Sequence, residues 1–277
     1  MTDLYAVFGN PIAQSKSPEI HKQFAEQTAQ DLQYTKELIP PDNFSESVKK
    51  FFSHPKAKGL NITVPFKVDA FNLVDDLTPR AKIAGAINFI AKQANGILLG
   101  DNTDGIGMIK DMLNLGWIIK DKRVLILGAG GAVRGVLQPF LDQQPTSITI
   151  ANRTLSKAEE LVAQLQSQKL DAVEYSQLSG KAFDLIINGT SASLQGDLPP
   201  LPNNILSSAA CCYDMMYGAE PTVFLKWALE NNAVQIADGL GMLVNQAAEA
   251  FYLWRGVRPE VNVVIEILRN QLLEQRS

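Results

Sequence analysis

The sequence predicts an α/β protein of two domains, the second built on a parallel sheet. Two observations carry this. Strand-like apolar runs alternate with amphipathic helical stretches along the 277 residues, the pattern of strands joined by helical crossovers. A glycine-rich turn, Gly128-Ala129-Gly130-Gly131-Ala132, lies between a strand and a helix near the middle of the chain. About 100 residues therefore precede that unit, enough for a domain of their own.

In order, Leu4–Phe8 reads as a strand broken by Gly9-Asn10-Pro11. Ser15-Lys16-Ser17 leads into a helix opening at Pro18, with Ser17 expected as its N-cap. Ile20, Phe24 and Ala25 give that helix an apolar stripe. A strand at Leu32–Leu38, a helix at Phe44–Phe52 and a strand at Gly59–Val64 follow, the last stopped by Pro65. Lys67–Leu73 is a short helix, and Thr78–Ala84 a helix or turn. Ala86–Ala91 and Ile97–Gly100 flank Asn95-Gly96, a two-residue hairpin signal. A polar stretch, Asp101-Asn102-Thr103-Asp104-Gly105, leads to a helix at Ile106–Leu115.

Val124–Leu127 is an apolar strand, followed by the glycine turn, a helix at Val133–Asp142 and a strand at Ser147–Ala151. Helices at Ser156–Gln166 and Thr222–Asn231 then alternate with strands at Asp171–Val173, Phe183–Asn188, Ala209–Asp214 and Ala233–Ala237. Two helices, Met242–Trp254 and Val261–Glu274, have no strand to serve and are expected to fold back onto the first domain. The expected division is residues 1–103, completed by 239–277, and residues 104–238, with a cleft between the two.

Strand, glycine turn, helix and second strand form the first half of a Rossmann-type dinucleotide-binding unit. Gly128, Ala129, Gly130, Gly131 and Ala132 would let the backbone approach a pyrophosphate, with the helix N–H groups facing it. The third glycine of the usual pattern is replaced by Val133. That glycine serves close helix–strand packing, so the helix is expected to sit slightly further out. The second strand ends on Asn152-Arg153-Thr154, where a site for the unphosphorylated dinucleotide carries a carboxylate. Arg153, with Asn152, Thr154 and Lys157, suits a 2′-phosphate and favours NADP(H) over NAD(H). A solvated surface charge is the plainer reading of Arg153 alone.

The composition, 46% hydrophobic and 19% charged, is that of a soluble globular protein. The net charge of −4 argues against nucleic acid or an anionic membrane as partner. The chain has two cysteines, Cys211 and Cys212, adjacent and expected as buried thiols in a strand. No metal-ligand spacing is present, so no metal is expected. No run of 18 apolar residues and no basic segment followed by an apolar core occurs. A cytoplasmic location is the expectation, and both a monomer and a homodimer stay open.

Hydride chemistry needs a proton donor or acceptor. His54 sits at a helix end, remote from any motif, and His21 one turn into the first helix, either structural or near a substrate loop. Lys67 follows the carboxyl end of a strand on which Asn61 and Thr63 share one face. Asp104 is its candidate partner, the plainer readings being a solvated lysine and a capping aspartate. Ser15 and Ser17 precede a helix N-terminus and suit a carboxylate; capping explains Ser17 but not Ser15.

Together these stretches resemble the shikimate dehydrogenases. The resemblance runs through Gly9-Asn10-Pro11, Ser15-Lys16-Ser17-Pro18, Asn61-Ile62-Thr63-Val64-Pro65-Phe66-Lys67 and Gly85-Ala86-Ile87-Asn88. It continues through Asp101–Gly107, the glycine turn, Asn152-Arg153-Thr154, Asn188-Gly189-Thr190-Ser191, Tyr213–Tyr217, Asp238–Leu243 and Gln246. It implies NADPH-dependent reduction of 3-dehydroshikimate to shikimate in aromatic amino-acid biosynthesis. It further implies Lys67 and Asp104 as the catalytic pair, Ser15 and Ser17 on the substrate carboxylate, and Asn61, Thr63, Asn88 and Gln246 on its hydroxyls. Thr190, Met215 and Gly239 would line the nicotinamide side, and Tyr217 the place where substrate and nicotinamide meet. The resembling family carries the Gly-Ala-Gly-Gly-Ala form of the turn. A quinate/shikimate dehydrogenase preferring NAD would carry an acidic residue just after Arg153, where Thr154-Leu155-Ser156 has none. A non-catalytic sensor would not need Lys67 and Asp104 together.

Overall fold

The computed structural model describes residues 2–274. The chain forms two compact units, Met1–Gly107 with Val244–Ile265 and Met108–Leu243 with Glu266–Ser277.

In chain order the first unit holds β1 (Asp3–Gly9), α1 (Ser17–Gln27), β2 (Leu32–Leu38), α2 (Phe44–Ser53), β3 (Ala57–Ile62), α3 (Lys67–Leu73), β4 (Asp76–Leu77), α4 (Pro79–Ala84), β5 (Phe89–Lys92) and β6 (Leu98–Asp101). Its six strands are ordered β2-β1-β3-β5-β6-β4. β1 pairs parallel with β2 and β3, but β5 runs antiparallel to both β3 and β6. The sheet is therefore mixed, because the Asn95-Gly96 turn returns the chain as a hairpin. Tyr5–Phe8 is buried without alternation, as expected of a strand covered on both faces. Phe8, Leu60, Ile62, Phe66, Ile87 and Ile90 anchor the core beneath α2 and α3.

Two helices start earlier than their sequences suggest. α1 includes Ser17, and Lys16 occupies the N-cap position with no side-chain bond, so the Ser17 hydroxyl is not used as a cap. α5 (Asp104–Asn114) starts at Asp104 rather than Ile106, since the Asn102 side-chain oxygen accepts the Asp104 N–H at 3.1 Å. β3 in turn ends at Ile62, before the cis Val64–Pro65 peptide.

The second unit contains β7 (Arg123–Leu127), α6 (Gly131–Asp142), β8 (Ser147–Ala151), α7 (Leu155–Leu165), β9 (Leu170–Val173), β10 (Phe183–Asn188), β11 (Leu206–Asp214), α8 (Val223–Glu230) and β12 (Gln235–Asp238). Its sheet is ordered β12-β11-β10-β7-β8-β9, parallel throughout. Read from β9, this is the 3-2-1-4-5-6 order of a Rossmann-type sheet. The strand order reverses between β7 and β10, and Gly128 and Gly189 follow the ends of those two strands. Cys212 is buried and Cys211 half-buried on β11, both as free thiols. Two helices complete the chain, α9 (Leu240–Arg255) and α10 (Asn262–Glu274). Arg269 on α10 binds Asp238 at 2.6 Å and the Gly218 carbonyl at 2.7 Å, so the end of α10 belongs with the second unit. Among the described residues no helix is long and apolar enough to cross a membrane.

Val133, which replaces the packing glycine, is fully buried. It packs against a residue without a side chain: a Cβ on Gly189 would stand 2.4 Å from Val133 Cγ2 and 3.2 Å from the Leu127 carbonyl. The close approach usually given by a glycine on the helix is supplied here by one after β10. Gly189→Ala is expected to lower stability by about 1–3 kcal/mol, since valine is stiff and the carbonyl fixed. Val133→Ala in the same chain should return part of that loss, which a denaturant double-mutant cycle would measure as non-additivity.

Candidate active site

In the first unit, Lys67 opens α3 and Asp104 opens α5, which puts a cation and a carboxylate at the starts of two different helices. Lys67 Nζ lies 2.5 Å from Asp104 Oδ2. The side chains are 24% and 11% exposed, so the pair is shielded but reachable from solvent. Asp104 Oδ1 accepts from Asn88 Nδ2 at 2.8 Å. Both carboxylate oxygens are thus held, and the Lys67 ammonium keeps further N–H groups to offer a ligand.

Asn88 stands between Ile87 and β5 and is buried. Its Nδ2 reaches Asp104 Oδ1, Thr103 Oγ1 at 3.0 Å and Gln246 Oε1 at 3.1 Å. An amide has only two N–H groups for these three acceptors. The Thr103 hydroxyl resolves this by donating to Asn88 Oδ1 at 3.2 Å. The Thr103 backbone N–H donates to the same oxygen at 2.8 Å. Gln246 reaches this cluster from α9 because Gly107 has no side chain: a Cβ there would meet the Gln246 backbone nitrogen at 2.6 Å.

Asn61 is buried at the end of β3 and donates to the Asn88 carbonyl at 3.1 Å. Thr63 lies beyond the strand, with its methyl against Gly9. The Ser15 hydroxyl donates to that of Ser17 at 3.3 Å, so these two sit together at the start of α1. The structure thus joins Lys67, Asp104, Asn88 and Gln246 into one hydrogen-bonded cluster and ties Asn61 to it through the Asn88 carbonyl. Ser15 and Ser17 form a second pair.

In the second unit, Gly128 turns with φ +100°, and Gly130 precedes α6. No other group lies within 4 Å of where a Cβ would stand on Gly130 or Gly131, so the helix N-terminus is open to an anion. Ala129 and Ala132 are half-buried beside it. Arg153, Thr154 and Lys157 are exposed, and Asn152 Nδ2 donates to the Thr154 carbonyl at 2.8 Å. Among the described residues no carboxylate pairs with Arg153 or Lys157. Arg153 and Lys157 follow the end of β8, the strand that pairs parallel with β7, whose end the glycine turn follows. Thr190 donates its hydroxyl to Asn188 Oδ1 at 2.7 Å. Gly239 lies so close to the Met215 carbonyl that a Cβ would overlap it. Burial raises the Tyr217 phenol pKa, with the Asp238 charge adding to the shift.

His54 is exposed at the end of α2, where its Nδ1 accepts from the Lys56 N–H at 3.2 Å. His21 is buried, stacked 4.2 Å from the Tyr34 ring at an 8° interplanar angle and close to Phe24, Phe251 and Trp254. Among the described residues neither of its ring nitrogens closes a hydrogen bond. Burial pushes its pKa down to about 3, with Asn61 offsetting part of the fall.

Sequence reasoning did not single out Thr103 or Tyr34. Thr103 stood unmarked inside the polar stretch after β6. Tyr34 carried no local signal, since an aromatic residue in a strand is ordinary.

The mixed unit with its lysine–carboxylate pair and the parallel unit with its glycine turn define a class, the two-unit α/β proteins with a Rossmann-type half. Residues 7–90 match the family description "Shikimate dehydrogenase substrate binding domain", residues 112–195 "Shikimate / quinate 5-dehydrogenase", and residues 239–269 "Shikimate 5'-dehydrogenase C-terminal domain". A Shikimate dehydrogenase (NADP(+)) from Cellvibrio japonicus is 62% identical over 277 residues, covering all of both chains. The crystal structure of an Ael1 enzyme from Pseudomonas putida is similar with a TM-score of 0.92 at 47% identity, covering 98% of each chain. Shikimate 5-dehydrogenase from Thermus thermophilus, solved in complex with NADP(H) and shikimate, is similar with a TM-score of 0.87 at 30% identity, covering 98% of this chain and 100% of that one. The chain belongs to the shikimate dehydrogenase family.

The buried histidine gives a pH prediction. In the folded protein His21 binds its proton only near pH 3, against an ordinary value of 6.5. Its stability contribution is complete above pH 6.5 and is lost as pH falls, because the unfolded chain takes up the proton first. Wild-type unfolding free energy should fall below that of His21→Phe by on the order of 1.4 kcal/mol per pH unit in this range. Denaturant titrations from pH 7.5 to 5 check this, and parallel slopes would contradict it.

Proposed function

We propose that the chain catalyses the reversible NADPH-dependent reduction of 3-dehydroshikimate to shikimate, with Lys67 as acid/base and Asp104 as its partner. It is an NADP-dependent oxidoreductase, and its relatives support activity in the shikimate pathway. The single observation carrying the catalytic assignment is the 2.5 Å pair of Lys67 and Asp104, whose carboxylate is also held by Asn88.

The nicotinamide, when bound, supplies or accepts the hydride. On reduction, negative charge develops on the substrate carbonyl oxygen. The Lys67 ammonium stabilises that charge and gives the oxygen its proton, and in the oxidative direction the neutral amine takes the proton back. Asp104 holds the ammonium in place through their 2.5 Å contact. The Ser15 and Ser17 hydroxyls, at the start of α1, receive the substrate carboxylate. Asn61, Thr63, Asn88 and Gln246 bind its hydroxyls, and Tyr217 sits where substrate and nicotinamide meet. Asn152, Arg153, Thr154 and Lys157 hold the 2′-phosphate, the turn from Gly128 to Ala132 faces the pyrophosphate, and Thr190, Met215 and Gly239 line the nicotinamide side. The absence of a carboxylate in Thr154-Leu155-Ser156 supports NADP(H) over NAD(H).

Initial rates with shikimate and quinate, each with NADP⁺ and NAD⁺, test the reading; a preference for quinate or for NAD⁺ would overturn it. Lys67→Ala should lower kcat by roughly 10²–10⁴-fold while NADPH binding, followed by fluorescence titration, stays unchanged. Arg153→Ala should raise the KM for NADP⁺ roughly 10- to 100-fold, the size of one charge-assisted hydrogen bond, and leave that for NAD⁺ alone.

A further inference from the structure

Tyr34 stands on the edge strand β2, behind two of the proposed substrate ligands. Its hydroxyl donates to Asn61 Oδ1 at 2.7 Å. The single phenol proton is thus given to Asn61. Burial holds the phenol pKa well above its ordinary value, so the proton stays in place at neutral pH.

The consequence follows from counting donors and acceptors. An asparagine amide offers oxygen on one side and two N–H groups on the other, and a half-turn about its last torsion exchanges them. In Asn61 the oxygen accepts from Tyr34, and one N–H donates to the Asn88 carbonyl at 3.1 Å. The turned amide would set its oxygen against the Asn88 carbonyl, losing that bond, and would keep the phenol contact only if the Tyr34 proton turned away from it. The amide carries a second N–H beyond the one given to the Asn88 carbonyl. The stacked His21 ring, 4.2 Å away, holds the phenol plane from behind.

We propose that Tyr34 is a positioning residue for substrate recognition, fixing the Asn61 amide so that it presents an N–H and selects an oxygen acceptor on the bound molecule. This rests on the assignment of Asn61 as a substrate ligand. Tyr34 acts through the Asn61 amide.

The test uses steady-state kinetics with shikimate and NADP⁺. Tyr34→Phe keeps the ring and its stacking on His21 but removes the O–H. It should raise the KM for shikimate roughly tenfold, the equivalent of about 1.4 kcal/mol, with kcat within about threefold and the NADP⁺ KM unchanged. Adding Tyr34→Phe to Asn61→Ala should do no further harm, because the phenol then has nothing to position. Asn61→Asp should bind shikimate more weakly than Asn61→Ala, since it presents oxygen where the amide presents N–H. This arm tests the presented N–H whether or not Tyr34→Phe folds. An unchanged shikimate KM in Tyr34→Phe, beside a raised one in Asn61→Ala, overturns the positioning role and leaves the ligand assignment standing. An unchanged KM in Asn61→Ala overturns both. Parallel rises in both KM values with a lower kcat in Tyr34→Phe would show a structural role only, as would Asn61→Asp binding as well as Asn61→Ala.

Discussion

The first unit is organised around keeping a lysine and an aspartate together in a shielded place. Lys67 and Asp104 are 2.5 Å apart with little exposure. Withdrawing either charge from water costs several kcal/mol unless the partner and further hydrogen bonds restore what hydration supplied. Asn88 provides the restoring bond, and Thr103 and Gln246 fix Asn88 in turn. Four stretches must therefore meet: the starts of α3 and α5, the lead-in to β5, and α9. The antiparallel return through Asn95-Gly96 is what brings Asn88 alongside the polar stretch after β6, through the pairing of Phe89 with Asp101.

Below that stretch a second ion pair takes up the same task. Asp101 is buried and receives Arg80 through two nitrogens, Nε at 2.7 Å and Nη2 at 2.5 Å, as well as the Thr78 hydroxyl. A bidentate guanidinium is the geometry best able to satisfy a buried carboxylate. Asp101 also accepts the Asn102 N–H at 2.7 Å, and the Asn102 side-chain oxygen accepts that of Asp104. The backbone leading into Asp104 is thus fixed residue by residue. In the second unit the constraint is steric. The fully buried Val133 is tolerated on α6 because Gly189 across from it is bare.

The sequence made the parallel unit legible because its signals are local: four consecutive apolar residues at Val124–Leu127, a glycine turn, then a helix. The starts of α1 and α5 were misplaced for a physical reason. Serine and aspartate favour caps, but here their side chains have other partners: Ser17 binds Ser15, and Asp104 binds Lys67 and Asn88. The mixed character of the first sheet was legible only at the Asn95-Gly96 turn. Tyr34 had no signal at all, since its meaning depends on Asn61, 27 positions away.

By itself the sequence determined the α/β alternation, the glycine turn between strand and helix, and, through ordered motifs, the family. Periodicity and turn chemistry act over a few residues and so can be read from a string. Tertiary structure alone decided which polar groups face one another. Asn88 meets Gln246 across 158 positions, and Gly107 permits it by letting α9 approach. Hydrogen-bond partnership is a property of distances in space, and no local pattern in this chain records it.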